Sequence, residues 1–400
     1  MLHNSEVYKK VIFMVFLAGI ICEFLVSFSG ALVGGYKEPI IILAGMGLFC
    51  LTSVLAYDYK SIFTKQSIIE LLVYIVVIAY SLLCHKYQHS ALLLRISLIL
   101  ISSRILIKRG NQNIDNTILK VFFFGTGIVL LTFAILSALG MYGSLSVTQN
   151  FRHIAETRYC FGFFHPNGFS MFYIKFILLG IFLYGNKLGI KLSIALSVVL
   201  SIPLVLSNSR TSLLCYGFVC LALILIKLFK RYDLTKVVLI ISIIIILSLI
   251  VLTVLTIFMK EIDVMDGHAD NLWELLNELS SGRLNSMTKS FNTYQVNLFG
   301  YGNTLETTEN GYVNALFSEG LIFVCIFFLA SIWLLYRMYK EKNNIGIIVV
   351  TAVIISLFSE SFMAYFNKNI VWMIMMGYVG SRSDSVEKSL MNVKEETTRN

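Results

Sequence analysis

Charge is scarce in this sequence. Asp, Glu, Lys and Arg make up only 14% of its 400 residues, against roughly a quarter in a soluble domain. The shortage excludes a water-soluble globule, because 57% of the residues are hydrophobic and the mean hydropathy is +0.79. So many apolar residues cannot all fit inside one core, so the solvent must itself be apolar. Proline is nearly missing, with three residues, which excludes a proline-rich or collagenous chain. No period of 20–50 residues recurs, so a solenoid is excluded as well. Cysteine offers no framework either. Cys22, Cys50, Cys84, Cys215, Cys220 and Cys325 lie in or beside apolar stretches, and only Cys160 sits in a long polar loop. No CxxC pair suggests zinc. The net charge of +9 is scattered between apolar runs and is not gathered on one face, which argues against nucleic acid as a partner.

What is present is a series of long apolar runs. Crossing roughly 30 Å of hydrocarbon takes about 20 mostly apolar residues in a helix. Runs at 11–28, 39–57, 68–84, 91–107, 118–140, 169–184, 188–206, 211–229, 235–259, 313–336 and 345–363 meet this requirement, and a shorter twelfth lies at about 368–380. The first follows Lys9 and Lys10 without a small-residue cleavage site, so it reads as an uncleaved helix. The fold class is therefore an all-α polytopic membrane protein of about twelve spans. Five spans fill residues 1–140, four fill 169–259 and three fill 313–380; a tail follows at 381–400. With both ends placed in the cytoplasm, most lysines and arginines fall inside, among them Lys60, Lys65, Lys108, Arg109, Lys230, Arg231, Arg337 and Lys340, as the positive-inside rule requires.

Two long loops, 141–168 and 260–312, then fall on the external face. Loops of this length are functional or disordered, and their composition favours order. Within 271–279, Leu272, Leu275, Leu276 and Leu279 recur at helical spacing, and the stretch reads as an amphipathic helix at the membrane surface. Such a helix either covers the bundle or contacts substrate. Glu23, Glu70, Lys175 and Glu360 fall within spans, where bare charge is costly and marks function.

Three arginines of the external loops and turns stand in polar settings with Gly, Ser or Asn. Arg158 stands in Arg-Tyr-Cys-Phe-Gly-Phe-Phe-His-Pro-Asn-Gly (158–168), Arg210 follows Ser207-Asn-Ser209, and Arg283 follows Ser281-Gly. Singly, each is explained by a lipid headgroup. Together, on the face the positive-inside rule disfavours, they point to phosphate, which guanidinium binds as a fork. His165-Pro166-Asn167-Gly168 opens the sixth span and is a helix-initiation signal, with His165 a second candidate as base. Glu309 precedes Asn310 at the mouth of the tenth span, where a carboxylate either serves the helix dipole or acts as a base.

These motifs occur in one order: Arg158-x3-Gly-x2-His-Pro-Asn-Gly, Asn208-Ser-Arg-Thr, Ser281-Gly-Arg, Asn297-Leu-Phe-Gly-Tyr-Gly, Glu309-Asn-Gly-Tyr-Val and Glu319-Gly-Leu. The series, over about 150–365, resembles the O-antigen ligase/polymerase superfamily, and within it the Wzy-type polymerases. The resemblance implies a GT-C-like helical bundle. It also implies a glycosyltransferase that joins undecaprenyl-pyrophosphate-linked oligosaccharide repeat units into capsule or O-antigen at the outer face of a bacterial plasma membrane. Arg210 and Arg283 would meet the pyrophosphate, and Glu309 or His165 would act as base. Arg158, Asn167, Ser209, Asn310 and Tyr312 would bind substrate. No metal or cofactor is implied, since arginine charge can replace it. A flippase and a chain-length regulator would be partner proteins, beside the bilayer itself. Ligases of the superfamily tend to have His-Asn where this chain has Glu309-Asn310, a departure in the polymerase direction. The rivals are a ligase, a flippase of lipid-linked oligosaccharide and a plain scaffold. No Asp-x-Asp on a polar loop marks a nucleotide-sugar site.

This topology predicts that a cysteine placed at Asn150 or Asn303, with native Cys160 replaced, reacts with a membrane-impermeant thiol reagent on intact spheroplasts. Labelling that needs permeabilised membranes would reverse the orientation.

Overall fold

The computed structural model describes residues 6–32, 38–55, 114–151, 154–163, 165–229, 231–258, 272–279, 283–301, 310–318 and 320–358. The predicted spans at 68–84, 91–107 and 368–380 lie outside these residues. So do Glu70, Glu309 and Glu360. The chain divides into two compact units. One comprises Met1–Leu83, Tyr87–Val129 and Ile370–Asn400, and the other Cys84–Lys86 and Leu130–Asn369.

In the first unit, α1 (Glu6–Leu32) and α2 (Glu38–Leu55) pack side by side. Phe16 meets Phe49 edge-on with ring centroids 5.7 Å apart. The Tyr8 hydroxyl donates to the Leu55 carbonyl at 2.9 Å, so the start of α1 lies at the end of α2 and the pair is antiparallel. The helix α3 (Ile114–Ala138) contributes residues to both units.

The second unit is a helical bundle built from α4 (Pro166–Tyr184), α5 (Ile190–Ser207), α6 (Arg210–Leu228), α7 (Thr235–Phe258), α11 (Leu321–Lys340) and α12 (Asn344–Phe358). Short helices α8 (Leu272–Leu279), α9 (Arg283–Thr293) and α10 (Gly311–Ser318) join it at one end. The helix α12 is apolar all round, and every residue from Ile345 to Ile354 is buried. A helix of this kind belongs inside a bundle, and α12 packs against α4, α6, α7, α10 and α11. Outward, the bundle shows Val198, Val199 and Ile202 on α5, Ile240, Ile244, Leu247 and Val251 on α7, and Leu329 and Ile332 on α11, all exposed. Surface of this kind suits lipid tails.

Six described helices are long and apolar enough to cross a membrane: the last 20 residues of α3, then α4, α5, α6, α7 and α11. The 19 residues of α4 give about 28 Å at 1.5 Å per residue, close to the hydrocarbon thickness. In such a medium hydroxyls must find partners within the protein. Those of Ser193, Ser331 and Thr351 donate to the carbonyl four residues back, and Ser356 to the one three back. The Cys215 thiol donates across helices to the Ala352 carbonyl at 3.1 Å. Lys175, the charge foreseen inside α4, is buried with its ammonium 5.4 Å from the Phe172 ring centroid.

The two ends of the bundle are fastened differently. At one end the Lys227 ammonium donates to the carbonyls of Gly185 and Leu188, tying α6 to the turn between α4 and α5. Lys342 pairs with Asp233 at 3.2 Å. The Thr235 hydroxyl and N–H, and then Lys342, hold the Asp233 carboxyl down at about 2.

Two features depart from the sequence expectation, the hairpin and the tenth span, and the amphipathic helix takes one of its two alternatives. Loop 141–168 holds a β-hairpin, β1 (Ser146–Phe151) paired antiparallel with β2 (Ile154–Tyr159). The predicted amphipathic helix is present as α8, but Trp273 and Leu276 pack on the cluster of Leu284, Met287, Val313 and Phe317 from α9 and α10. Trp273 and Leu276 therefore cover protein, while Leu275 is exposed. The tenth span does not begin at 313, because α10 ends at Ser318 and α11 starts at Leu321.

The break is clamped by the turn 297–301. Leu321 N–H donates to Asn297 O at 3.0 Å and Tyr301 N–H to Phe317 O at 2.7 Å. Gly300 and Gly320 have φ of +75° and +93°. A Cβ on Gly300 would collide with the Ser318 carbonyl and one on Gly320 with that of Leu298. Gly320→Ala is accordingly expected to cost more than about 1 kcal/mol. A fall in the thermal midpoint of detergent-purified protein checks it, and an unchanged midpoint would refute the clamp.

Candidate functional site

The opposite end of the bundle gathers the arginines. The α5–α6 connection is the tight turn Ser207–Arg210, and two of the three arginines bond to it or to its neighbour Thr211. Arg158, on β2, donates from Nε to the Ser207 carbonyl at 3.1 Å. Its Nη2 donates to the Asn208 carbonyl at 3.1 Å and to Asn167 Oδ1 at 2.8 Å. A helix C-terminus offers unpaired carbonyls and the negative end of the dipole, and a planar fork reaches two carbonyls at once. Lysine could not. Arg283, the first residue of α9, donates from Nη1 to Thr211 Oγ1 at 2.7 Å. Arg210 stands inside the turn as the first residue of α6 and is exposed.

Asn208 shapes the turn. It caps α5 with φ 48° and ψ 41°, the left-handed conformation that asparagine tolerates better than other non-glycine residues. Its amide donates to Glu156 Oε2 at 2.9 Å. Behind it, the buried hydroxyls of Ser170 and Ser207 lie 2.7 Å apart, joining α4 to α5.

Two helices begin with a cation at this end. Arg210 and Arg283 open α6 and α9, and neither helix has an acidic residue in its first turn. A guanidinium at the positive end of a dipole is unfavourable unless negative charge is supplied nearby. The cap of α6 adds to this. The Ser209 hydroxyl makes no cap bond to the backbone and instead donates to Ser212 Oγ at 3.2 Å. The first amides of α6 thus take no side-chain cap, and such amides are the usual ligands of phosphate at a helix start.

The other foreseen residues have other occupations. His165 is exposed and caps α4, its Nδ1 accepting from Asn167 N–H at 3.2 Å, so the helix-initiation reading describes its local geometry. Asn310 caps α10, its Oδ1 accepting from the N–H groups of Tyr312 and Val313 at 2.9 and 3.0 Å. Tyr312 is buried, and its hydroxyl donates to the Ile354 carbonyl at 2.6 Å. Its ring lies among Phe327, Phe328 and Phe358. Asn310 thus starts α10, and Tyr312 ties it to α12. Asn167, by contrast, stands beside Arg158 and accepts from its Nη2.

Sequence reading missed Glu156 and Thr211. The signal for Glu156 was present: two six-residue segments rich in Val, Thr, Ile and Tyr, separated by two residues, make a hairpin pattern. Cys160, read as a loop cysteine, is fully buried, its thiol donating to the Ser144 carbonyl. Burial pushes that thiol upward in pKa.

Residues 195–323 match the family model Wzy_C, described as O-antigen ligase. The segment runs from α5 into α11. It holds Asn208, Ser209, Arg210, Thr211, Arg283, Asn310 and Tyr312, and it stops short of the hairpin and His165. The match supports membership of the O-antigen ligase/polymerase superfamily of glycan transferases. No curated protein and no solved structure matches the chain.

If the Arg158 fork docks the hairpin on α5, Arg158→Ala should loosen it and open the cover over Cys160. Native Cys160 should then react with a small thiol reagent at least about tenfold faster than in the wild type, on the 1.4 kcal/mol per decade scale. Unchanged labelling would show that the hairpin holds without Arg158.

Proposed function

We propose that the protein polymerises surface polysaccharide, joining polyprenyl-pyrophosphate-linked oligosaccharide repeat units at the outer face of a bacterial plasma membrane, with both termini in the cytoplasm. The observation that carries this reading is the pair of helix starts, α6 and α9, each opened by an arginine and with no acidic residue in its own first turn, and linked by the Arg283–Thr211 bond. A pyrophosphate is the kind of anion that two guanidinium groups and the amides of α6, which take no side-chain cap, fit. The Wzy_C match across this region supports a glycan transferase over a transporter or a scaffold.

The reaction follows from the charges. A hydroxyl on the acceptor unit attacks the anomeric carbon of the donor. The new glycosidic bond forms as the bond to the pyrophosphate oxygen breaks, and the electron pair leaves with undecaprenyl pyrophosphate. Negative charge grows on the leaving group in the transition state, and donors preorganised around it supply a large part of the acceleration. We assign that task to Arg210 and Arg283, with Ser209 beside them. Arg158 and Asn167 hold the neighbouring turn and the saccharide end. The hydroxyl proton passes to Glu309 or His165; such transfers contribute about 10²–10⁴-fold. A lipid donor entering sideways between helices puts the reaction at the membrane boundary.

A ligase reading has the support of the description Wzy_C carries. The two differ in product: a polymerase lengthens a lipid-linked chain, whereas a ligase moves it to another acceptor. Deleting the gene tests them in the cell. Polymerase loss leaves a single repeat unit on the surface, and ligase loss leaves full-length chains on the carrier lipid.

Arg210→Lys and Arg283→Lys keep the charge and lose the fork. Losing one charged hydrogen bond costs about 1.5–3 kcal/mol, so each should lower polymer roughly ten- to a hundredfold while insertion stays normal. Glu309→Gln should bind donor and make little polymer, with His165→Ala milder. Full polymer from both lysine variants would remove the phosphate clamp. Loss in His165→Ala with activity kept in Glu309→Gln would move the base to the histidine.

A further inference from the structure

Glu156 has no place in the chemistry above, yet it reaches the centre of the arginine turn. It lies two residues before Arg158 on β2, so both side chains leave the same face of the hairpin. Both end on one residue. Arg158 Nη2 donates to the Asn208 carbonyl, and Glu156 Oε2 accepts from the Asn208 amide. Asn208 is therefore gripped by two opposite charges, one on its backbone and one on its side chain.

The identity of residue 208 makes this grip informative. A left-handed C-cap position is the natural place for glycine, which adopts it without steric cost. Asparagine supplies what glycine lacks, a side chain able to bond out of the turn, and here that bond goes to Glu156. Only Ser209 separates this fixed residue from Arg210, the exposed cation that opens α6. The direction in which α6 departs, and with it the aim of Arg210, depends on the dihedral angles at 208 and 209. A backbone anchored at 208 leaves Arg210 few directions.

We propose that Glu156 is a positioning residue for Arg210, acting through Asn208. The proposal rests on the reading that Arg210 stabilises the pyrophosphate leaving group, and it adds that the external hairpin sets the geometry in which Arg210 does so. The hairpin lies outside the segment matched by Wzy_C, so this contact couples a part of the chain beyond that segment to the arginine turn within it.

The test uses the full chain in liposomes with a synthetic polyprenyl-pyrophosphate-linked oligosaccharide. Glu156→Ala and Asn208→Gly should each lower kcat about ten- to a hundredfold, as misaiming of a catalytic group does, with little change in donor KM because the loss falls on the transition state. Gln at 156 keeps an oxygen that accepts the Asn208 amide, so Glu156→Gln should recover most of the activity. The double variant Glu156→Ala/Asn208→Gly should be no worse than the poorer single one, since both break one link. Additive losses, or a Glu156→Gln variant as poor as Glu156→Ala, would overturn the proposal, the latter by assigning the carboxylate a charge or proton role. Poor accumulation of Glu156→Ala beside full activity of Asn208→Gly would reduce the contact to a folding one, and that too overturns it. A wild-type protein that transfers no glycan would sink the glycosyl-transfer reading along with this one. Wild-type transfer with Glu156→Ala unimpaired would sink this proposal alone.

Discussion

The five residues from Ser207 to Thr211 hold the site together. They must end one apolar helix, reverse the chain and start another within a few ångströms, and each of those steps leaves polar backbone unsatisfied. The carbonyls released by α5 are taken by Arg158 and the left-handed residue by Glu156. The amides released at the start of α6 are left without a side-chain cap. Satisfying one side of the turn and leaving the other open gives the turn a polarity, with a structural side towards the hairpin and a chemical side towards α9.

The bundle beneath has few ways of expressing such polarity. Between lipid and helices there is little hydrophobic gain, so packing and local hydrogen bonds set the arrangement. Serine and threonine hydroxyls bond back along their own helices, which makes each span nearly self-sufficient. The charged fasteners stand at the ends: Lys227 and Asp233 at one, the arginines at the other. The two sets of fasteners differ in kind. Lys227 reaches closed backbone turns, whereas Arg210 and Arg283 stand at the starts of helices that carry no acidic residue in their first turns.

The spans were legible in the sequence because hydrocarbon imposes a length and a composition at once; the described span limits agree with the apolar runs to within a few residues in α4, α5, α6 and α7. The break between α10 and α11 was not legible. Apolar residues continue through it, and the feature that ends α10 is a backbone clamp made with the distant turn 297–301. The arginines were legible as a residue type in unusual company. Their partners were hidden, since Ser207 and Asn208 receive Arg158 through carbonyl oxygens, and carbonyls carry no signature in a sequence. Glu156 was harder to single out: the hairpin pattern was present, but two six-residue strands do not say which side chain reaches the distant turn.

The burial of α12 bears on the order in which the bundle can be completed. Nearly all of its surface lies against α4, α6, α7, α10 and α11, and every one of these is synthesised before it. At roughly 5–20 residues per second, the interval between the end of α4 and the start of α12 amounts to some ten to thirty seconds. During that time the earlier helices lack their common neighbour, and Tyr312 and Cys215 lack the carbonyls of Ile354 and Ala352 that receive them. Closure of the core is therefore a late event in biogenesis. A newly inserted chain passes through a stage in which its central groove stands open to lipid.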